Sequence, residues 1–198
     1  MIKFKNIIQD KPFILFREKY ELALYAAQKN IEAISISSFN RENNEVDSRY
    51  VNVKILDKDK FIFFSNYNSP KSIAFNSNNQ IAGLFFWSSI NTQIRIKAII
   101  KKTSSNFNQE YFKKRSIKKN ALSISSQQSE PILSYDGVLE KYHKAYKNDD
   151  LKKCPEYWGG FSFTPYYFEF WEGHQSRINK RQIFKKINGM WEQSFLQP

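Results

Sequence analysis

The 198-residue chain carries 31 lysines and arginines against 19 acidic residues, a formal net charge of +12, with 41% hydrophobic and 17% aromatic residues. That length suits one domain with a sizeable core, and no apolar run approaches the roughly 20 residues of a membrane-spanning helix. The charge favours anionic partners, although a general compositional bias towards Lys, Asn and Ile explains such an excess equally well. The single Cys154 excludes an internal disulfide, and with Gln9, Asp10 and Lys11 interrupting any signal-like start, a reducing, cytoplasmic setting is expected.

The first element is predicted over 12–30, where Phe13, Phe16, Tyr20, Ala23 and Ala27 share one helical face. The period then falls to two. Ile34 and Ile36 in 31–39, and Val51, Val53 and Ile55 in 49–56, alternate with polar residues as half-buried strands do. Residues 60–67 read as another strand. Ser69 and Pro70 suit the N-cap and first position of a short helix. Strands return at 80–87 and 92–102, the latter with Ile94, Ile96, Ala98 and Ile100 on one face. Segments 105–115 and 135–148 read as helices, with Leu139, Tyr142 and Tyr146 on one side of the second. The last third is strand again, at 159–171, 181–187 and 190–196, with Asn188-Gly189 as a hairpin turn.

Eight strand segments, read as antiparallel, with helices inserted late predict a mainly-β fold, a partly open β-barrel with flanking helices. Strands and helices do not alternate, which excludes a parallel α/β sheet. The expected organisation is one domain over 1–198. It divides into an N-terminal helix region (1–30), barrel strands (31–103), a helical insertion (104–150) and C-terminal strands (157–198).

The chemistry is thinly signalled residue by residue. There is no glycine-rich phosphate loop, His143 and His174 are the only histidines, and no Cys/His cluster suggests a metal. His143, on a lysine-rich helix, reads as solvent-facing. One stretch stands out: "YFEFWEGHQSRINKRQIF" (167–184) joins aromatics to Arg177, Lys180 and Arg181, a pairing that suits a flat apolar ring bearing an anion.

Several segments together carry a resemblance. "SRYVNVK" (48–54), "FFSNYNSPKS" (63–72), "TQIRI" (92–96), "EYFKKR" (110–115), "QQSEPI" (127–132), "YWGGF" (157–161) and "EFWEG…RINKR" (169–181) resemble the pyridoxamine 5'-phosphate oxidases, in the same order and at similar spacing. The resemblance implies an antiparallel, Greek-key type split β-barrel that binds flavin mononucleotide (FMN), working as a homodimer with FMN at the interface. It implies that Arg49, Lys54, Phe64, Ser65, Lys71, Gln93, Gln128, Ser129, Trp171 and Arg181 bind the cofactor. It places Lys54, Tyr111, Arg115, Lys119, Arg177 and Asn179 on the substrate, with Arg177 and Lys54 nearest the chemistry. Tyr111 and Arg115, four apart on a predicted helix, would share one face.

Four positions depart from the family pattern: Pro70 replaces an arginine, Lys119 a serine, Asn179 a histidine and Lys180 an aspartate. The family's N-terminal substrate-closing pattern is not found in "MIKFKNIIQD". The implied activity is oxidation of pyridoxamine or pyridoxine 5'-phosphate to pyridoxal 5'-phosphate, a hydride passing to flavin and dioxygen serving as electron acceptor. A second reading keeps fold and flavin but takes another phosphorylated or anionic substrate. A third, a non-catalytic nucleic-acid-binding module, rests on charge and aromatics alone; alternation places those aromatics in strands as core residues, so neither nucleic acid nor membrane is expected as a partner.

Overall fold

The computed structural model describes residues 1–198. Ten strands form one branched sheet with five helices around it: β1 (Lys3–Lys5), α1 (Lys11–Tyr25), β2 (Ala33–Asn40), β3 (Glu45–Asn52), β4 (Ile55–Asp57), β5 (Lys60–Asn66), α2 (Pro70–Ser77), β6 (Gln80–Trp87), β7 (Thr92–Lys102), α3 (Ser105–Lys114), α4 (Ile117–Ser125), α5 (Tyr135–Asn148), β8 (Trp158–Glu172), β9 (Lys180–Ile187) and β10 (Met190–Leu196). The strand order is β1-β4-β5-β8-β7-β6-β2-β3, with β9 and β10 branching from β8. No helix is long and apolar enough to cross a membrane.

The fold is mainly β with flanking helices, as the alternation predicts, but it holds ten strands where the sequence reads as eight segments. The expected strand at 49–56 breaks at Val53-Lys54, and the N-terminal β1 pairs in parallel with the resulting β4. Helix α1 buries Phe13, Phe16, Tyr20 and Ala23 as predicted. It ends before Ala27, which is exposed and left-handed (φ 54°). Helix α4 was not foreseen. In α5 the predicted apolar side is not buried: Leu139 and Tyr146 are exposed, and Ala145 is the buried residue.

Strand β8 organises the rest. Phe161, Phe163, Phe168 and Phe170 point inwards and are fully buried, meeting Phe13 and Phe16 of α1, Phe61 and Phe63 of β5, and Phe85 and Trp87 of β6. Phe61 and Phe163 stack at 5.2 Å, and Phe16 meets Phe61 edge-on at 5.0 Å. Each such burial contributes about 1.5–3 kcal/mol before entropy is counted. One edge of β8 pairs with β7 over Phe161–Glu172; the other pairs with β5 over Trp158–Phe163 and with β9 over Tyr167–Glu172. Between these partners lies Pro165, at a register shift. A residue with no N–H to donate belongs where a strand exchanges neighbours.

Glycine matters at the opposite end of β8. Gly159 and Gly160 run under a polar knot: Asn108 Nδ2 donates to the Tyr67 hydroxyl (2.9 Å), and the Gly160 N–H donates to Asn108 Oδ1 (2.9 Å). The Tyr67 and Thr103 hydroxyls both donate to the Gly160 carbonyl, at 3.0 and 3.1 Å. The knot ties α3 to the sheet. A Cβ on Gly159 would overlap the Tyr67 hydroxyl and Asn108 Nδ2. Gly159→Ala is therefore expected to destabilise the protein by about 1–3 kcal/mol, read as a lower midpoint in thermal denaturation. An unchanged midpoint would mean that the knot is not a packing constraint.

Candidate functional site

A cleft of about 590 Å³ opens between β5, the β3–β4 junction and helices α2, α3 and α4. That volume falls in the usual range for small-molecule sites. It brings together Lys54, Phe64, Ser65, Lys71, Tyr111, Arg115, Lys119 and Gln128, residues that lie up to 74 positions apart in sequence. Four cations line it, and no carboxylate does.

At one end is Lys71, in the first turn of α2. Its side chain is only 7% exposed, and its Nζ donates to Ser65 Oγ (3.1 Å) and Ser69 Oγ (3.0 Å). Burial, and then the charge of Arg49, pull its pKa down to about 8. At neutral pH it is an ammonium held by hydroxyls alone. Ser65 Oγ in turn donates to Gln128 Oε1 (3.3 Å), which also accepts the Asn66 N–H. Arg49 stands just outside this end. Its fork is engaged within the chain, by the Ile36 carbonyl, Ser38 Oγ and Asp47.

At the other end Arg115 follows the last residue of α3. It is the C-cap, in extended conformation, so the expected shared helix face with Tyr111 is not how the two meet; the turn out of the helix directs both into the cleft. Arg115 NH1 donates to the Lys119 carbonyl (2.8 Å) and Ser123 Oγ (2.7 Å), and its guanidinium lies over the Trp158 ring at 4.9 Å. Tyr111 stacks on Phe64 at 3.6 Å between centroids, and Phe64 on Trp158 at 5.2 Å, giving a flat aromatic wall. Burial raises the Tyr111 pKa despite the neighbouring Arg115, so the phenol stays a donor. Lys54, at the interruption between strands β3 and β4, donates to Glu32 Oε1 at 3.3 Å.

A second cluster lies elsewhere. Gln93 of β7 pairs with Trp171 of β8, which pairs with Arg181 of β9, so the three form one row across the outer face of the sheet. Trp158 in the cleft and Trp171 in the row share one strand, thirteen residues apart, a contour of roughly 40 Å at 3.2–3.4 Å per residue. The following loop carries Arg177, exposed and left-handed (φ 61°), and Asn179. Asn179 Oδ1 accepts the His174 N–H at 3.0 Å and closes the loop. Ser129 is left-handed (φ 72°) and exposed, and lines a separate surface pocket rather than the cleft beside Gln128.

The sequence reading missed Ser123, one helical turn beyond Lys119 on α4, because α4 itself was missed; the i, i+4 spacing is the signal. It also passed over Glu169, although an acidic residue inside an aromatic strand is conspicuous.

Comparison with known proteins places this geometry in context. Residues 158–198 match a family model described as the pyridoxine 5'-phosphate oxidase C-terminal dimerisation region. Pyridoxine/pyridoxamine 5'-phosphate oxidase 1 of Hydrogenovibrio crunogenus is 33% identical over 195 residues, covering 96% of this chain and 90% of that protein. The enzyme of the same general name from Colwellia psychrerythraea is 35% identical over 170 residues, covering 84% and 77%. Among solved structures, PhzG from Burkholderia lata in complex with tetrahydrophenazine-1-carboxylic acid superposes with a TM-score of 0.90 at 20% identity, covering 96% of this chain and 93% of that one. A pyridoxamine 5'-phosphate oxidase-related, FMN binding protein from Nostoc punctiforme gives 0.77 at 12% identity, covering 92% and 97%. These two are alike in fold, a split barrel.

The Lys71 pKa gives a test of whether this end of the cleft binds an anion. The folded value, about 8, lies below the ordinary 10.5, so between those pH values the unfolded chain binds more protons and this group's contribution to stability rises with pH. Binding of an anion runs the opposite way. Affinity for inorganic phosphate, followed by calorimetric titration, is expected to weaken as pH rises through about 8, and to lose that dependence in Lys71→Gln. A parent protein whose affinity is flat across that range would contradict the assignment.

Proposed function

The chain belongs to the pyridoxine/pyridoxamine 5'-phosphate oxidase family, and from that premise we propose that it is an FMN-dependent oxidase converting pyridoxamine or pyridoxine 5'-phosphate to pyridoxal 5'-phosphate, with dioxygen as electron acceptor. The observation that carries this reading is the cleft: four cations, no carboxylate and a flat aromatic wall suit two phosphate-bearing planar molecules.

The residues present fit FMN. Lys71 and Ser65 offer an ammonium and a hydroxyl to its phosphate, with Arg49 adding positive potential beside them and a helix N-terminus behind. Pro70, where the family has an arginine, removes one cation from this end and leaves Lys71 the larger share. FMN, when bound, supplies the hydride acceptor and the route to dioxygen. The chain's own task is to hold and orient. Arg115, Tyr111, Lys119 and Lys54 would take the substrate phosphate, Arg115 by charge-assisted bonds from the nitrogens its helix contacts leave free. Fixing the substrate against the ring is worth up to about 7–11 kcal/mol in favourable cases.

One protomer does not complete the site. The row of Gln93, Trp171 and Arg181 lies along β8 from the cleft, so a second copy would bring its row against the first copy's cleft. The match of residues 158–198 to a dimerisation region supports this, since that segment holds Trp171 and Arg181. Arg177 and Asn179 would arrive with the same partner. Asn179 cannot titrate, so its contribution would be to hold the loop through His174 and not to move a proton.

An anionic substrate with a different ring is the second reading, favoured by Lys119, Asn179 and Lys180 standing where the family has other residues. The experiment separates the two. Purified protein should be yellow, and anaerobic mixing with pyridoxamine 5'-phosphate should bleach it. Yellow protein that neither bleaches nor yields pyridoxal 5'-phosphate from either substrate would favour the second reading. Arg115→Ala is expected to raise the apparent KM about tenfold or more while FMN stays bound; loss of colour in that variant would reassign Arg115 to the cofactor.

A further inference from the structure

Glu169 is the most deeply buried carboxylate in the chain, 2% exposed, yet it does not point into the apolar core. Its neighbours Phe168 and Phe170 do, so alternation along β8 turns Glu169 to the outer face, beneath the row of Gln93, Trp171 and Arg181. All its acceptor positions there are used. Oε1 accepts from Arg181 Nε (2.9 Å) and Arg181 NH2 (2.8 Å); Oε2 accepts from Arg95 NH1 (2.9 Å) and the Tyr167 hydroxyl (3.0 Å). Tyr167 is held protonated, its pKa raised by burial and then by the bond to Glu169, so it stays a donor.

The remaining Arg181 nitrogen, NH1, donates to the Gln197 carbonyl at 3.0 Å. Every guanidinium nitrogen is therefore tethered on one side, which fixes the plane of the fork and leaves only the outward N–H bonds of NH1 and NH2 available. Two arginines share one carboxylate, so the cluster keeps one net positive charge. An arginine already immobilised loses little rotamer freedom when it meets a ligand, and one free to rotate loses more.

We propose that Glu169 is a positioning residue: it locks the Arg181 guanidinium in the orientation in which the row meets the flavin. This rests on the reading that Arg181 grips FMN. A carboxylate in this place also prevents Arg95 and Arg181 from repelling each other across the wall, so that both can stand on the same side of the sheet.

The test is a double-mutant cycle on FMN affinity, measured by quenching of FMN fluorescence on titration with apoprotein. Glu169→Gln is expected to weaken FMN about tenfold in the parent, and to have no further effect in Arg181→Ala, because the residue acts through that arginine. An equal loss in both backgrounds would mean a general structural role and overturn the proposal. Tyr167→Phe removes a bond to Oε2 and leaves both bonds to Arg181, so it should hold FMN within about twofold of the parent; a loss as large as that of Glu169→Gln would also overturn it. Should Glu169→Gln fail to fold, Arg181→Lys decides: it keeps the charge without the fork, and retention equal to the parent would show that orientation is irrelevant. Undiminished FMN affinity in Arg181→Ala itself would instead strike the underlying reading of Arg181.

Discussion

Strand β8 is the constraint on which the rest depends. Fifteen residues alternate so that four phenylalanines fill the barrel while Glu169 and Trp171 face outwards. The same strand begins in the cleft at Trp158 and ends in the outer row at Trp171. It can do both because it changes partner midway, at a proline that has no N–H to offer either neighbour. A straight, singly paired strand could carry one of these clusters; this one carries two, and their separation along it is the ground for the proposed second protomer.

The electrostatics of the two halves differ in kind. In the cleft, Lys71 and Arg115 meet hydroxyls, carbonyls and an aromatic ring, and the lining holds no carboxylate, so their charge remains for a ligand. Keeping Lys71 buried in that way opposes folding, which the pKa near 8 registers. In the row, Arg181 is partly neutralised by Glu169 and so presents direction more than charge. A phosphate group needs the first kind of site, and the polar edge of a planar ring suits the second. Under the proposed dimer, anionic ligands would find attraction at one subunit and alignment at the other.

Much of this was legible in the sequence, for identifiable reasons. Period-two alternation located most strands, and the paired segments "YWGGF" and "EFWEG…RINKR" pointed to the family. Eight of the anticipated site residues line one cleft because short-range patterns and family spacing both survive folding. What escaped depended on tertiary partners. Helix α4 is only nine residues long and its buried residues are Asn120 and Ala121, so no run of large apolar residues marked it or Ser123. Arg115 leaves its helix because its guanidinium finds acceptors on α4, which no local propensity encodes. Glu169 stands out in the sequence, but its burial depends on arginines from β7 and β9, which no local pattern reveals.

The central claim is that each site takes its cleft from one protomer and its row from another. Mixing Arg115→Ala and Arg181→Ala subunits, by co-expression or by joint refolding, tests it directly through turnover of pyridoxamine 5'-phosphate. Each variant alone has a lesion in every site, whereas a mixed dimer built this way has one site with both lesions and one with neither, so activity should reappear on mixing. Mixed preparations no more active than the two variants assayed apart would place cleft and row in the same subunit's site, and the account would fail.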